Sequence, residues 1–285
     1  MSDAETIHTE GVFKGSQGVD LFYQTWSPSG EIKAVVIICH GIAEHSGRYD
    51  HIARFLNTHG CRVASYDIRN HGRSGDLSIY VSSYDDYLAD LDAFVALVRR
   101  ENPGKPLFLM GHSMGGTTSA LYTITRKPDF LNGVILSAPA VKIGADISPF
   151  LLKLSGLLSV ITPHLKTVVL DNRSISRDPQ VIQKYDDDPL NYRGGIPART
   201  GAELNRAILC IQANMEAITQ PGLIVHGTAD RLADINGSSD LYERISSKDK
   251  SFKTYEGYYH EVMNEIGKEA VLNDIAAWID SHLSA

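Results

Sequence analysis

The clearest pattern in this chain is the alternation of short apolar runs with longer segments in which apolar residues recur every three or four positions. The run from Ala34 to His40 is apolar almost throughout, which is typical of a strand buried on both faces of a sheet. Further strand patterns occur at Val19 to Trp26, Cys61 to Asp67, Pro106 to Gly111, Gly133 to Ser137, Gly222 to His226 and Ser251 to Glu256. This alternation predicts an α/β fold with a mostly parallel, doubly wound sheet, whose ligands gather at the carboxyl ends of the strands.

Two segments carry the helical pattern most clearly. Between Tyr84 and Arg100 the apolar residues share one helical face, with aspartates near the start and two arginines at the end. This order of charges complements the helix dipole, so we predict a surface helix here. A second apolar stripe, near the C terminus, contains Val271, Ile275, Trp278 and Ile279.

One long segment interrupts the alternation. No strand pattern appears between about Val141 and Gln220, and prolines separate its short helical pieces. Because so long a loop is improbable inside a compact domain, we predict a small helical insertion over the carboxyl ends of the strands. The predicted organisation is a core formed by residues 1–140 and 221–285, with a helical cap, or lid, formed by residues 141–220.

Composition and charge exclude several classes of protein. With 285 residues, 43% of them hydrophobic, the chain is long enough for a large α/β domain. A net charge of −7 and the lack of a basic run argue against a nucleic-acid binder. The N-terminal residues do not resemble a signal peptide, no apolar stretch is long enough for a bilayer, and the three cysteines, Cys39, Cys61 and Cys210, are predicted to be buried free thiols. We therefore expect a cytoplasmic protein.

A candidate nucleophile follows one of the predicted strands. Residues Gly111 to Gly115 read GHSMG and separate an apolar run from a stretch of small residues. This GxSxG pattern is typical of a sharp turn from strand to helix, which holds the serine in a strained conformation while glycines let the two elements pass closely. A helix beginning after Ser113 would also direct unpaired amides toward a developing oxyanion.

A serine nucleophile requires a base, and the base requires an acid that orients it. In hydrolases with this turn the acid and then the histidine follow the serine, each after a strand. Asp230, in HGTADRL, and His260, in YEGYYHE, meet this condition, so we predict that Ser113, Asp230 and His260 are the catalytic residues. Asp67, at another strand end, is the main rival acid and Asp234 a weaker one. The alternative is that Asp230 is a turn residue and His260 an ordinary loop histidine.

Two backbone amides complete the predicted site. In this fold the oxyanion is bound by the amide after the nucleophile, here Met114, and by an amide in a loop after an earlier strand. We assign the second amide to Ile42, because the neighbouring Gly41 permits close backbone approach. An ordinary strand-to-helix turn is the alternative interpretation of His40 and Gly41.

Six motifs join these features into a recognisable set: HGIAEHSGRY (40–49), DIRNHGRS (67–74), GHSMGG (111–116), SRDPQVIQKYDDDPL (176–190), HGTADRL (226–232) and YYHEVMNE (258–265). On these motifs the chain resembles the monoacylglycerol lipase family of α/β-hydrolases, from near Glu10 to the C terminus. The resemblance implies the α/β-hydrolase fold, with about eight strands and a lid over an acyl tunnel. It also implies a catalytic triad of Ser113, Asp230 and His260, and an oxyanion hole formed by the amides of Ile42 and Met114.

The resemblance further implies an esterase that hydrolyses monoacylglycerols to fatty acid and glycerol through an acyl-enzyme. Neither a cofactor nor a metal is expected, and the 11 histidines show no metal-ligand spacing. Glu44, Arg48 and Tyr185 match family positions at the polar end of the pocket, where a carboxylate, a guanidinium and a phenol could bond the hydroxyls of a glycerol head. Glu44 and Arg48 could equally form a local ion pair that only braces the loop.

Two positions depart from the family pattern. Asn70 stands where the family usually has glycine, which affects a turn but none of the proposed catalytic groups. Met263 stands where some animal members have a second histidine, so one polar contact to the substrate head is missing. The motifs therefore predict the ester hydrolysis more firmly than the head group of the substrate.

An apolar stripe at helical spacing lies in the insertion and contains Phe150, Leu151, Leu154, Leu157, Leu158 and Ile161. One interpretation is that the stripe packs inward on the sheet domain, as most amphipathic helices do. The other is that Phe150, Leu151, Leu154 and Leu158 line an acyl channel, or that the face dips into a lipid surface. The second interpretation predicts transient contact with membranes or lipid droplets.

Three functions compete on this sequence. They are a monoacylglycerol lipase, a broader carboxylesterase or lysophospholipase with the same triad, and a binding protein that has lost turnover. The last would lack a member of the triad, and none is missing from the sequence. A small lipid ester is thus the expected partner, and the oligomeric state is left open.

Overall fold

The computed structural model describes residues 6–144 and 156–283. Within these residues one sheet contains the strands β1 (Thr6–Lys14), β2 (Asp20–Pro28), β3 (Ala34–Cys39), β4 (Cys61–Tyr66), β5 (Leu107–His112), β6 (Gly133–Ser137), β7 (Gly222–Gly227) and β8 (Lys250–Tyr255). Their order in the sheet is β1-β2-β4-β3-β5-β6-β7-β8. β1 and β2 are antiparallel to their neighbours, and the strands from β4 through β3 to β8 are parallel. The predicted α/β fold with a mostly parallel sheet is confirmed.

The first strand was not predicted from the sequence, and its environment explains why. β1 lies at the edge of the sheet, pairs only with β2, and leaves most of its residues exposed. A strand in this position needs no apolar run, because its backbone pairing and not its side chains ties it to the sheet.

Helices cover both faces of the sheet. The longer ones are α1 (Asp50–Thr58), α2 (Tyr84–Glu101), α3 (Met114–Arg126), α4 (Pro179–Asp187), α5 (Ala198–Asn214), α6 (Ile235–Arg244) and α7 (Lys268–Ser281), and residues 156–161 are also helical. Side chains of α2, α3, α5 and α6 share one hydrophobic core with one face of the strands. Those of α1 and α7 form a second core with the other face. In the described residues no helix is both long and apolar enough to cross a membrane.

Different parts of the segment predicted as the cap pack in different hydrophobic clusters. α4 contributes Tyr185 to a small separate cluster with Ile175 and Leu232, whereas α5 contributes Leu204, Ala207, Ile208 and Ile211 to the larger core. α5 lies inside the range predicted for the cap but packs as part of the core. The boundaries of the cap therefore stay a prediction. Cys39 and Cys61 are buried thiols as expected, but Cys210 is exposed because it lies on the outer face of α5.

Candidate active site

Ser113 occupies the turn between β5 and α3. Its backbone has φ 53° and ψ −119°, a conformation that costs energy for a residue with a side chain. A Cβ atom added at Gly111 would overlap the carbonyl oxygen of Gly115, and one added at Gly115 would overlap that of Cys39. The two glycines of the motif are thus required sterically, as the sequence predicted.

The structure brings His260 and Asp230 together at the carboxyl end of the sheet. Asp230 follows β7, His260 follows β8, and His260 Nδ1 lies 2.7 Å from Asp230 Oδ2. The other carboxylate oxygen, Oδ1, accepts hydrogen bonds from the amides of Leu232 at 2.8 Å and Ala233 at 3.1 Å. Ser113 and His260 line the same cavity.

The two rival acids have other partners. Asp67 accepts from the amide of Ser46 at 2.8 Å through Oδ1 and from the amide of Arg73 at 2.7 Å through Oδ2. It therefore braces two loops. Asp234 accepts from the amide of Asn236 at the start of α6, as a helix cap.

Burial and neighbouring charges shift the pKa values of Asp230, His260 and His112. Burial by itself lowers the pKa of His260, but Asp230, Glu261 and Glu44 outweigh it and raise that pKa above its ordinary value. Burial opposes ionisation of Asp230, yet His260 and His226 hold its pKa well below the usual range. Burial, followed by the charge of His260, lowers the pKa of the adjacent His112 to about 4. The arrangement therefore favours an ionised acid and a basic His260.

The cavity beside Ser113 contains about 690 Å³ of space, part of it open to solvent. Its apolar walls are formed by Ile42, Met114, Ala140, Ile143, Leu170, Ile175, Ile196, Leu204 and Leu232. Of these apolar residues, Ile143, Leu170, Ile175, Ile196 and Leu204 come from the predicted cap. An apolar cavity at the nucleophile suits a substrate with a hydrocarbon chain.

Both predicted oxyanion donors, Ile42 and Met114, belong to residues that line this cavity. Met114 is the first residue of α3, where helix amides lack an intrahelical acceptor. The loop that carries Ile42 is held by Glu44, whose Oε1 accepts from the Gly41 amide at 2.6 Å and from the Tyr49 hydroxyl at 2.8 Å. We call residues 40–45 the oxyanion loop.

A polar cluster of Glu44, Arg48, Glu261 and Tyr185 lines the cavity as well. Arg48 bonds to Glu44 and, through both terminal nitrogens at 2.7 Å, to Glu261, and its guanidinium lies 4.9 Å from the centre of the Tyr185 ring. Burial opposes ionisation of Glu44, but Arg48, His112, His40 and the Gly41 amide together outweigh it and lower the pKa of Glu44 to about 2. The loop-bracing ion pair is therefore present. Glu261 was missed by the sequence analysis, although it follows His260 directly.

Residues of the predicted cap also bond to the oxyanion loop. The Tyr185 hydroxyl donates to the Ala43 carbonyl at 3.0 Å, and the Tyr192 amide donates to the same oxygen at 2.9 Å. Ala43 has φ 66°, a left-handed conformation that is uncommon for alanine. His45 Nε2 also pairs with Asp188 at the end of α4, at 2.8 Å. These contacts connect the cap to the loop that carries Ile42.

Only some of the predicted lid residues belong to the part of the chain that the structure describes. Phe150, Leu151 and Leu154 lie outside the described residues, and Leu158 is half-buried. Leu157 and Ile161, from the same predicted stripe, are 61% and 67% exposed. Leu157 and Ile161 therefore face solvent, which disfavours inward packing for these two residues.

The two departures from the family pattern have structural explanations. Asn70 has φ 59°, a conformation that asparagine tolerates better than most residues, and its Nδ2 donates to the Tyr80 carbonyl at 2.8 Å. Met263 is buried in the core shared with α1 and α7. Asparagine thus keeps the turn that glycine would form, and Met263 supports the loop after His260 by packing.

The nucleophile turn, the sheet order and the polar residues at the strand ends define an α/β-hydrolase. A family model described as serine aminopeptidase, S33, matches residues 30–267. The monoacylglycerol lipase of Mycolicibacterium smegmatis is 36% identical over 98% of this chain and 99% of that protein. The human monoglyceride lipase is 33% identical over 93% of this chain and 88% of that protein.

Solved structures agree with this assignment. The monoacylglycerol lipase of Paleococcus ferrophilus has a TM-score of 0.79 at 29% identity, and the match covers 98% of this chain and 99% of that one. A soluble variant of the Saccharomyces cerevisiae monoglyceride lipase has a TM-score of 0.89 over 100% of this chain and 99% of that one, and at 22% identity it supports the fold alone. The chain belongs to the monoacylglycerol lipase family of α/β-hydrolases, as its motifs predicted, and is a carboxylic ester hydrolase.

Replacement of the acid should separate Asp230 from its rival. We expect Asp230→Asn to lower kcat by about 10⁴-fold, because an amide cannot hold His260 in the productive tautomer. Asp67→Asn serves as the control and should keep kcat within about tenfold while lowering the melting temperature, because it loses bonds that brace loops. Steady-state hydrolysis of a p-nitrophenyl ester measures both. Near wild-type turnover of Asp230→Asn would remove it from the catalytic group.

The charge of Glu261 should appear in the pH profile. Only neutral His260 accepts a proton, so kcat/KM rises with pH through the pKa of His260, which Glu261 helps to raise. Glu261→Gln removes that charge and should move the acid limb to lower pH. Glu216→Gln, which alters an exposed pair with Arg244, is the matched control. An unmoved acid limb in Glu261→Gln would contradict this account of His260.

Proposed function

We propose that the protein hydrolyses monoacylglycerols to a fatty acid and glycerol through an acyl-enzyme on Ser113. The observation that carries the proposal is a single cavity containing Ser113, His260, an apolar wall and a polar cluster. The names of the relatives from Mycolicibacterium smegmatis and human support the same substrate.

In the proposed reaction His260 accepts the proton of Ser113 as the hydroxyl oxygen attacks the ester carbonyl. Asp230 holds the imidazole through Nδ1, which leaves Nε2 to face the serine. The amides of Ile42 and Met114 bind the oxyanion, and His260 then protonates the departing glycerol oxygen. A water molecule, activated by the same histidine, releases the fatty acid from Ser113.

The polar cluster supports an uncharged head group. It contains two carboxylates, Glu44 and Glu261, and one guanidinium, Arg48, so its formal charge is negative. A glycerol head can bond to these groups without being ionised, whereas a phosphate would face two carboxylates in a buried site. This charge favours a monoacylglycerol over a lysophospholipid, the main competing substrate.

Two measurements test the proposed function. A fluorophosphonate probe should label the wild-type enzyme and should not label Ser113→Ala, and the same variant should lose turnover. At equal chain length, kcat/KM should be at least about tenfold higher for a monoacylglycerol than for a lysophospholipid, a difference of about 1.4 kcal/mol. Labelling that does not depend on Ser113 would overturn the mechanism, and an equal or higher rate on the lysophospholipid would overturn the substrate.

We propose that Tyr185 has a second role besides contact with the head group, which is to hold the oxyanion loop. Its hydroxyl donates its proton to the Ala43 carbonyl in that loop. Tyr185→Phe should therefore lower kcat by about three- to tenfold, equivalent to one hydrogen bond, even on a p-nitrophenyl ester without glycerol. Tyr192→Phe is the matched control, since its hydroxyl donates only to Gly195 within the cap. A loss confined to monoacylglycerols would show that Tyr185 contacts only the head group.

We also propose that the exposed apolar residues of the cap contact lipid surfaces. Leu157, Val160 and Ile161 are 61%, 76% and 67% exposed and lie within six consecutive helical residues. Such a patch gains free energy when it leaves water for an acyl layer. Leu165 and Val169, which follow this helix in the chain, are exposed apolar residues as well.

Vesicle binding tests this contact. The double variant Leu157→Ser and Ile161→Ser should bind phosphatidylcholine vesicles about tenfold more weakly or worse, while its turnover of soluble p-nitrophenyl butyrate stays unchanged. Ile7→Ser, an exposed apolar residue on the edge strand β1, is the control. Equal vesicle binding by wild type and the double variant would exclude these residues as the contact.

A further inference from the structure

The buried acid of the site contacts a second histidine. His226, near the end of β7, places Nε2 3.0 Å from Asp230 Oδ2, the oxygen that also lies 2.7 Å from His260 Nδ1. The side chains of His226 and Asp230 are both fully buried. One carboxylate oxygen is thus shared by two imidazole rings, of which only His260 reaches the cavity.

The surroundings of His226 determine which nitrogen carries its proton. Nε2 faces two acceptors, Asp230 Oδ2 and the Ala233 carbonyl at 3.3 Å, so it must be the protonated, donating nitrogen. Nδ1 lies 2.7 Å from Oγ of Ser238, a fully buried hydroxyl on α6. In the ring that is protonated on Nε2 alone, Nδ1 is an acceptor and Ser238 donates to it. The two acceptors at Nε2 therefore select the tautomer, and the Ser238 hydroxyl supplies the donor that this tautomer needs at Nδ1.

With His226, the Asp230 carboxylate has a complete set of donors. Oδ1 receives two backbone amides, and Oδ2 receives His226 and His260. A carboxylate in a buried site needs such donors to stay ionised and to keep one orientation. The direction of His260 depends on that orientation, because its Nδ1 bond is the link between the ring and the acid.

We infer that His226 is a positioning residue for the acid of the catalytic group, and that Ser238 holds the His226 ring by bonding to its Nδ1. This inference rests on the proposed function, because its effect is read in Ser113-dependent turnover. His226 does not contact the substrate and needs no proton transfer of its own. Its contribution is a single N–H donor at a fixed place.

Three variants test the inference through kcat and KM on p-nitrophenyl butyrate. His226→Leu keeps the approximate volume without the donor and should lower kcat by about 10–100-fold with KM nearly unchanged. His226→Gln, whose Nε2 can reach the same position, should recover most of that loss. Ser238→Ala, which removes the hydrogen-bond partner of His226 Nδ1, should fall between wild type and His226→Leu. If the glutamine and leucine variants lose kcat and melting temperature alike, His226 acts only by packing and the inference is wrong.

A double-mutant cycle separates positioning from general damage. In the Asp230→Asn background, His226→Leu should cost less than about threefold further in kcat, because no carboxylate remains to be positioned. A full additional loss would overturn the inference. Failure of the proposed function looks different: Ser113→Ala would then retain turnover. If turnover depends on Ser113 while His226→Leu keeps the wild-type kcat, only the inference fails.

Discussion

The hydrogen bond between Asp230 and His260 is the interaction on which the site depends. A carboxylate without water is unfavourable unless donors surround it, and here the amides of Leu232 and Ala233 together with two histidines supply them. These donors belong to β7, to the loop that follows it and to the loop after β8. The sheet therefore has to place two strand ends side by side before the charge can be buried, which couples the fold to the chemistry.

The backbone strain at the site is balanced by packing around it. Ser113 and Ala43 both have positive φ, and they lie on the two elements that carry the predicted oxyanion amides. Ser113 is held between β5 and α3 by glycines that permit close contact. Ala43 is held by Tyr185 and Tyr192, which belong to the predicted cap. Residues of the predicted cap thus line the cavity beside Ser113 and also hold the conformation of the oxyanion loop.

The sequence predicted what depends on periodicity or on a fixed motif. The buried strands carry apolar runs, and GHSMG, HGTADRL and YYHE place their reactive residues just after strands, so the sheet order brings Asp230 and His260 together. β1 escaped prediction because an edge strand needs no apolar pattern. Glu261 and His226 escaped because their roles arise from contacts with residues far away in the chain or across a turn, which spacing alone does not reveal.

The charges around His260 also explain why two glutamates share one arginine. Asp230, Glu261 and Glu44 all raise the pKa of His260, and in the proposed mechanism the same three carboxylates stabilise the imidazolium that forms during attack. A still higher pKa would leave a smaller fraction of the ring neutral and able to act as a base. Arg48, bonded to both glutamates, offsets part of their charge and keeps them in place. In the proposed mechanism the cluster therefore balances two demands: the pKa of His260 must be high enough for the ring to accept the serine proton and low enough for the ring to be neutral beforehand.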